Sequence, residues 1–278
     1  REDLVYPEIQ GNKWRKLKYN LAFAQEKGYD QILSFGGAYS NHIAAVAAAG
    51  KKFGLQTVGI IRGDQPEKLN PTLQRALQNG MTLQFVSRFE YKSYTQQGQT
   101  DDLQKQYPDA YFIPEGGTNA LAIKGCAEIL TEEDKADYDI FACPVGTAGT
   151  ITGIISSLKG KKKVLAFPAL KGSFLQNDME ALLKEYGSGF TNYDLIDIYH
   201  FGGYAKHKPE LLDFINKFYE VYQIPLDPIY TGKMMYGLFD MVEQDLFEEG
   251  TSILTIHTGG LQGIAGFNER FGTELKAH

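Results

Sequence analysis

A chain of 278 residues, 43% of them hydrophobic and 22% charged, is long enough for one large domain or two modest ones around a sizeable core. Its formal net charge of −6 argues against nucleic acid as a general partner. No apolar run reaches the ~20 residues that a membrane-spanning helix needs.

In chain order, the first predicted element is a helix in "IQGNKWRKLKYN", with Asn12 as its N-cap. Trp14, Leu17, Leu21 and Ala24 form its apolar stripe. A buried strand follows at Gln31–Phe35, running into "GGAYSNH" and the small residues "IAAVAAAG". Further strands are expected at Leu55–Ile61, Asp139–Cys143, Val164–Phe167 and Ser252–His257. Helical patterns lie at Leu73–Gln78, Ala120–Leu130 and Pro209–Tyr222. The polar stretch "SYTQQGQTDDLQKQYPDA" reads as a surface helix with its loop. Strands alternating with helices imply an α/β protein with parallel sheets flanked by helices. In such sheets ligands sit beyond the carboxyl ends of the strands, where glycine loops enter helices.

Cys126 and Cys143 make neither a disulfide framework nor a Cys-x-x-Cys pair. His42, His200, His207, His257 and His278 show no metal-ligand spacing, which disfavours a zinc site, so no metal is assigned. A reducing cytoplasm is the expected compartment.

Four cations, Lys13, Arg15, Lys16 and Lys18, crowd the start of the first helix, where the backbone dipole is already positive. At about 100° per residue Lys13 falls beside Leu17 and Ala24, on the buried side. Arg15 falls roughly opposite, with Lys16 and Lys18 flanking it. Burial and dipole should both lower the pKa of Lys13, and a neutral amine is what carbonyl chemistry requires. The alternative is a lysine that lays its stem on the core and keeps its head in water.

In "PVGTAGTITGI" the residues Gly146, Thr147, Ala148, Gly149 and Thr150 link an apolar run to a helix. Freed amides and threonine hydroxyls there can cradle a phosphate. The loop is neither a Walker loop nor a dinucleotide fingerprint, so a small phosphate monoester fits better than a nucleotide. It is equally readable as a tight turn with packing glycines. Ser40 or Asn41 is an ordinary helix cap or part of a carboxylate cradle. A depressed lysine, a phosphate loop and a carboxylate loop together describe a pyridoxal phosphate enzyme acting on an amino acid.

Six landmarks in order, "RED…GNKWRKLKYN", "GGAYSNH", "PEGGTNALAIKG", "PVGTAGT", "DPIYTGK" and "HTGGLQG", resemble the 1-aminocyclopropane-1-carboxylate deaminase and D-cysteine desulfhydrase family of fold-type II pyridoxal phosphate enzymes, the tryptophan synthase β-like fold. The resemblance runs over nearly the whole chain, and it implies that a segment upstream of "RED" is missing here. It implies a smaller α/β domain over 17–124 and a larger one from 1–16 and 125–278, with the cofactor between them, in a homodimer. It also implies that Lys13 carries the cofactor and moves protons. Ser40 would sit near the reacting carbon and the substrate carboxylate, and Asn41 would bond the cofactor's phenolic oxygen. The loop Gly146–Thr150 would hold the phosphate, and Tyr230 and Tyr204 match the family's two active-site tyrosines.

Thr231 departs from the cyclopropane deaminases, which carry glutamate after that tyrosine to keep the pyridine nitrogen protonated. Threonine makes a weaker electron sink, suited to a substrate with its own β leaving group, and the desulfhydrase branch shares it. "IAAVAAAG" and "YAKHK" differ from relatives, so the pocket around the substrate side chain is its own. The expected reaction is deaminating β-elimination, with D-cysteine favoured. Cyclopropane deamination and serine dehydration or racemisation are the alternatives on this scaffold. A silent ligand-binding protein and a nucleotide-binding α/β protein are those from other classes.

Overall fold

A computed structural model describes residues 1–172 and 174–277; His278 lies outside the described residues. The first half runs α1 (Asn12–Glu26), β1 (Gln31–Gly37), α2 (Asn41–Phe53), β2 (Gln56–Arg62), α3 (Pro71–Gln78), β3 (Met81–Val86), α4 (Arg88–Gln96), α5 (Asp101–Gln106) and β4 (Ala110–Ile113). Next come α6 (Ala120–Cys126), α7 (Glu132–Asp137), β5 (Ile140–Val145), α8 (Gly149–Leu158), β6 (Lys163–Pro168) and α9 (Phe174–Tyr186). The chain ends with β7 (Tyr193–Leu195), α10 (Pro209–Tyr222), α11 (Thr231–Glu243), β8 (Ile253–Thr255) and α12 (Gly263–Phe271).

The strands form two parallel sheets in the orders β3-β2-β1-β4 and β7-β6-β5-β8. In each, the chain steps outward from the first strand and then returns to that strand's other side. Each sheet therefore has a point where the strand order reverses, and there the loops beyond the carboxyl ends part to leave a crevice. β1 and β4 flank one such point, β5 and β8 the other. The central strands β1, β2, β5 and β6 are buried along nearly their whole length, which is why they read as unbroken apolar runs.

α2 is covered on almost every side, from His42 through Gly50. Ile43 and Val46, packed against Leu17 and Ile61, each contribute about 1.5–3 kcal/mol of burial. Its alanines let α1 and α3 approach closely.

Three sequence expectations change. The N-cap of α1 is Gly11, and Asn12 is the first helical residue. Gly11 adopts φ 63°, and a Cβ there would lie 2.0 Å from the carbonyl oxygen of Thr258, so the turn before Lys13 is pressed onto the "HTGGLQG" loop. The polar stretch predicted as one helix holds the end of α4, the separate α5 and the entry to β4. Lys16, predicted to face outward, is 1% exposed. The physical reason is that α1 is packed from two directions, by α2 and by α6, so its buried arc is wider than one stripe.

Candidate active site

A cleft of about 1050 Å³ lies where the loops of the two sheets face one another. Lys13, Ser40, Asn41, Tyr204, Tyr230 and the loop residues Gly146, Thr147, Ala148 and Thr150 all line it. Residues up to 217 positions apart in sequence are thus gathered by the carboxyl ends of β1 and β5, the first turn of α1, the segment after β7 and the head of α11.

Lys13 is half-buried at the start of α1. Its Nζ donates to Asn12 Oδ1 at 3.2 Å, and Asn12 Nδ2 donates to Thr150 Oγ1 at 2.9 Å. The amine is thereby tethered to the glycine loop. Burial brings its pKa down to about 8, the direction expected from its place on the helix.

One turn further along α1, the Lys16 ammonium donates to the carbonyl of Gly116 at 2.9 Å and to the hydroxyls of Thr118 and Thr147 at 3.1 and 3.0 Å. All three partners are neutral, and no carboxylate pairs with it among the described residues. Burial, with the nearby charge of Lys13, lowers its pKa to about 7. Sequence reasoning missed this residue. The available signal was the i, i+3 spacing, which places Lys16 only about 60° from Lys13 on the helix.

The loop after β5 leaves its amides open. Among the described residues, none of the amides from Gly146 to Thr150 finds an acceptor within the chain. A Cβ at Gly149 would stand 3.3 Å from Lys16 Nζ, and one at Gly146 would stand 2.8 Å from the Tyr230 ring. Any larger side chain would fill the cradle. Unsatisfied amides, a helix N-terminus and an ammonium without a counter-ion share one centre, a match for a phosphate monoester.

The loop after β1 is different. Ser40 caps α2 by accepting from Ile43 N–H at 3.2 Å. Asn41 reaches across to the second sheet: Cβ atoms at Gly260 and Gly263 would lie 3.1 and 3.3 Å from its Nδ2 and Oδ1. Behind the loop, Ser34 Oγ donates to the carbonyl of Ile113 and sits 2.8 Å from His42 Nε2. Burial holds His42 well below its ordinary pKa, with Lys13 and Lys16 adding to the effect.

Tyr204 and Tyr230 meet edge to face at 6.3 Å. Burial raises both phenols, Tyr230 well above 10, so both keep their protons through neutral pH. Lys233, 2% exposed, donates to the carbonyls of His200 and Gly203 at 2.9 and 2.8 Å and so ties down the loop that carries Tyr204. Thr231 is fully buried behind the cleft wall. Its hydroxyl donates to Asp227 Oδ1 at 2.8 Å, and Asp227 also accepts the amides of Ile229, Tyr230 and Thr231. Asp227 thus holds the turn that presents Tyr230, the N-cap of α11.

Among the described residues no helix is long and apolar enough to cross a membrane, and no cluster of His, Cys, Asp and Glu could hold a metal ion.

Residues 1–259 match the family model described as pyridoxal-phosphate dependent enzyme. The chain is 32% identical to the bifunctional D-cysteine desulfhydrase/1-aminocyclopropane-1-carboxylate deaminase of Arabidopsis thaliana, over 95% of this chain and 72% of that one. A crystal structure of an ACC deaminase homologue superposes with a TM-score of 0.83 at 30% identity, over 97% of this chain and 86% of the other. The O-acetylserine dependent cystathionine β-synthase of Helicobacter pylori shares the fold at 15% identity, with a TM-score of 0.68 over 98% of this chain and 88% of the other. The chain belongs to the pyridoxal phosphate-dependent enzymes, in the family of the 1-aminocyclopropane-1-carboxylate deaminases and D-cysteine desulfhydrases, and its cofactor is pyridoxal 5'-phosphate.

Proposed function

We propose that this chain catalyses deaminating β-elimination of a small amino acid, with D-cysteine as the first substrate to test. The observation that carries the reading is the pairing of Lys13, an amine brought to about 8, with an adjoining acceptor-free loop that Lys16 completes. When bound, the cofactor supplies an electron sink that acidifies the substrate's α-carbon.

The phosphate would be held by the amides of Gly146–Thr150, the Thr147 hydroxyl and Lys16 Nζ. Lys13 Nζ would hold the aldehyde end and, once displaced by the substrate amine, take the α-proton. Ser40 and Asn41, at the head of α2, would orient the substrate carboxylate and the cofactor's phenolic oxygen. Tyr230, kept protonated by burial, is fit to give a proton to the departing group, with Tyr204 beside it.

In balance, the Cα–H and Cβ–S bonds break, and sulfur leaves with the bonding pair and gains a proton. The resulting 2-aminoacrylate takes up water to give pyruvate and ammonia. Thr231, already bonded to Asp227, brings no carboxylate of its own towards the ring nitrogen. That supports a substrate with its own leaving group over cyclopropane opening. Residues 17–124, which carry the first sheet, are taken as the smaller domain of a cytoplasmic homodimer.

The test is the visible absorption of protein loaded with pyridoxal phosphate, beside Lys13→Ala, followed by pyruvate release from D-cysteine against 2-oxobutanoate release from the cyclopropane substrate. A borohydride-sensitive band in the parent alone, with pyruvate formed, is expected. No band in either protein would remove the reading, and preference for the cyclopropane would reverse the substrate order.

A further inference from the structure

The cleft has a second end that none of the residues assigned to the cofactor lines. At the carboxyl edge of the first sheet it opens into a side chamber of about 380 Å³, walled by Arg62, Arg88, Tyr91, Lys92 and Glu115 among others. Arg62, Arg88 and Glu115 line both the chamber and the cleft. Arg62, Arg88 and Lys92 form no ion pair and no side-chain hydrogen bond among the described residues. Glu115 is the one carboxylate among them.

Arg62 is positioned but not neutralised. It ends β2 directly opposite Gly37, the glycine that opens the "GAYSNH" turn. A Cβ at Gly37 would lie 3.5 Å from its Nη2, and its guanidinium carbon stands 5.3 Å from the centroid of the Tyr91 ring. Tyr91 is 2% exposed and stands beside Glu115, and burial with that neighbouring charge holds its phenol well above the ordinary range. An aromatic face on one side and a glycine turn on the other hold the guanidinium beside the loop assigned to the substrate carboxylate. Arg270, 5.6 Å over the ring of Tyr39, adds a third arginine to the cleft wall. A chain with a net charge of −6 has thus gathered unpaired cations at one mouth. Phosphate binding does not explain them, because the acceptor-free loop follows β5 in the other sheet, and Lys16, which reaches that loop from α1, lines the cleft but not the chamber.

We propose that this chamber seats an anionic group on the substrate's side chain, a phosphate or a carboxylate held by Arg62 and Arg88. The inference deepens the function proposed above: the reaction type stays, and the substrate becomes an amino acid whose tail carries negative charge. Two donors in a fork suit such a group.

Calorimetric binding to the cofactor-loaded protein tests it without requiring turnover. O-phosphoserine is compared with serine, and glutamate with glutamine, each in both enantiomers. In the parent, at least one acid should bind about tenfold or more tightly than its neutral partner. That lead should collapse in Arg62→Gln and in Arg88→Gln, both exposed positions, and shrink in about 0.5 M salt. Equal affinities in the parent, or a lead that survives both substitutions, overturns the proposal. The cofactor reading fails on separate grounds, a missing absorption band, so the two failures are distinguishable.

Discussion

The turns after β1 and β5 share one grammar, an apolar strand, a glycine, a hydroxyl and a helix of small residues, yet they end in opposite states. After β1 the hydroxyl of Ser40 is spent on Ile43 N–H, and the helix start satisfies itself. After β5 no side chain caps α8, the amides face the cleft without acceptors, and Thr147 Oγ1 accepts from Lys16 instead. A capped turn presents side chains; an uncapped one is itself a receptor. The same pattern in sequence thus gives a satisfied helix start in one sheet and an open one in the other.

Substitutions can break this contrast in graded steps. Lys13→Ala should reduce α-proton exchange by about a thousandfold or more, measured by deuterium uptake; exchange near the parental rate would take Lys13 out of the chemistry. Tyr230→Phe should slow elimination about a hundredfold while leaving cofactor affinity near the parent's. Equal losses in both would make the ring, packed over Gly146, a structural element only.

Lys16→Met sharpens the receptor side. Cofactor affinity should weaken about ten- to a hundredfold, because charge-assisted bonds to phosphate are lost. The cofactor-free protein should become no less stable, since a buried ammonium without a counter-ion is removed. The sign with pH follows from a folded pKa of about 7 against an ordinary 10.5. Below pH 7 the folded protein carries the full penalty of the buried charge. As pH rises from 7 towards 10.5 the unfolded chain binds more protons than the folded one, so the penalty fades and stability climbs. The stability gap between Lys16→Met and the parent should therefore narrow from pH 6 to 9 in cofactor-free urea melts. A constant gap would mean that Lys16 is not depressed.

The smallest effect belongs to the capped turn. Ser40→Ala should cost about 1 kcal/mol of stability through the lost N-cap, with cofactor affinity nearly unchanged. A large loss of affinity would show that the hydroxyl serves the cofactor as well as the helix.

Much of the site was legible because its landmarks sit at strand ends. The five buried strands named from apolar runs are present, most of them shifted by a residue or two at their ends. β3 and β4 escaped notice because each is partly exposed, with Gln84 breaking the apolar run of β3 and with β4 only four residues long, and β7 because it is three residues long. Lys13 drew notice because one helical stripe turns it towards the buried side, and it is half-buried on the cleft wall. Lys16 did not, because periodicity in a single helix cannot show a second helix, α6, covering the adjoining face.

The sequence by itself determined the parallel α/β class, five of the eight described strands, the glycine turns and the inward side of the first helix on which Lys13 falls. These are local matters of periodicity, β-branching and positive φ, and neighbours in sequence decide them. Only the tertiary structure decided which hydroxyls are spent on caps, which amides stay unsatisfied and which cations lack partners. Such groups are satisfied or left open by residues far away in the chain, as Lys16 is by Gly116, Thr118 and Thr147, so no local window of sequence contains the answer.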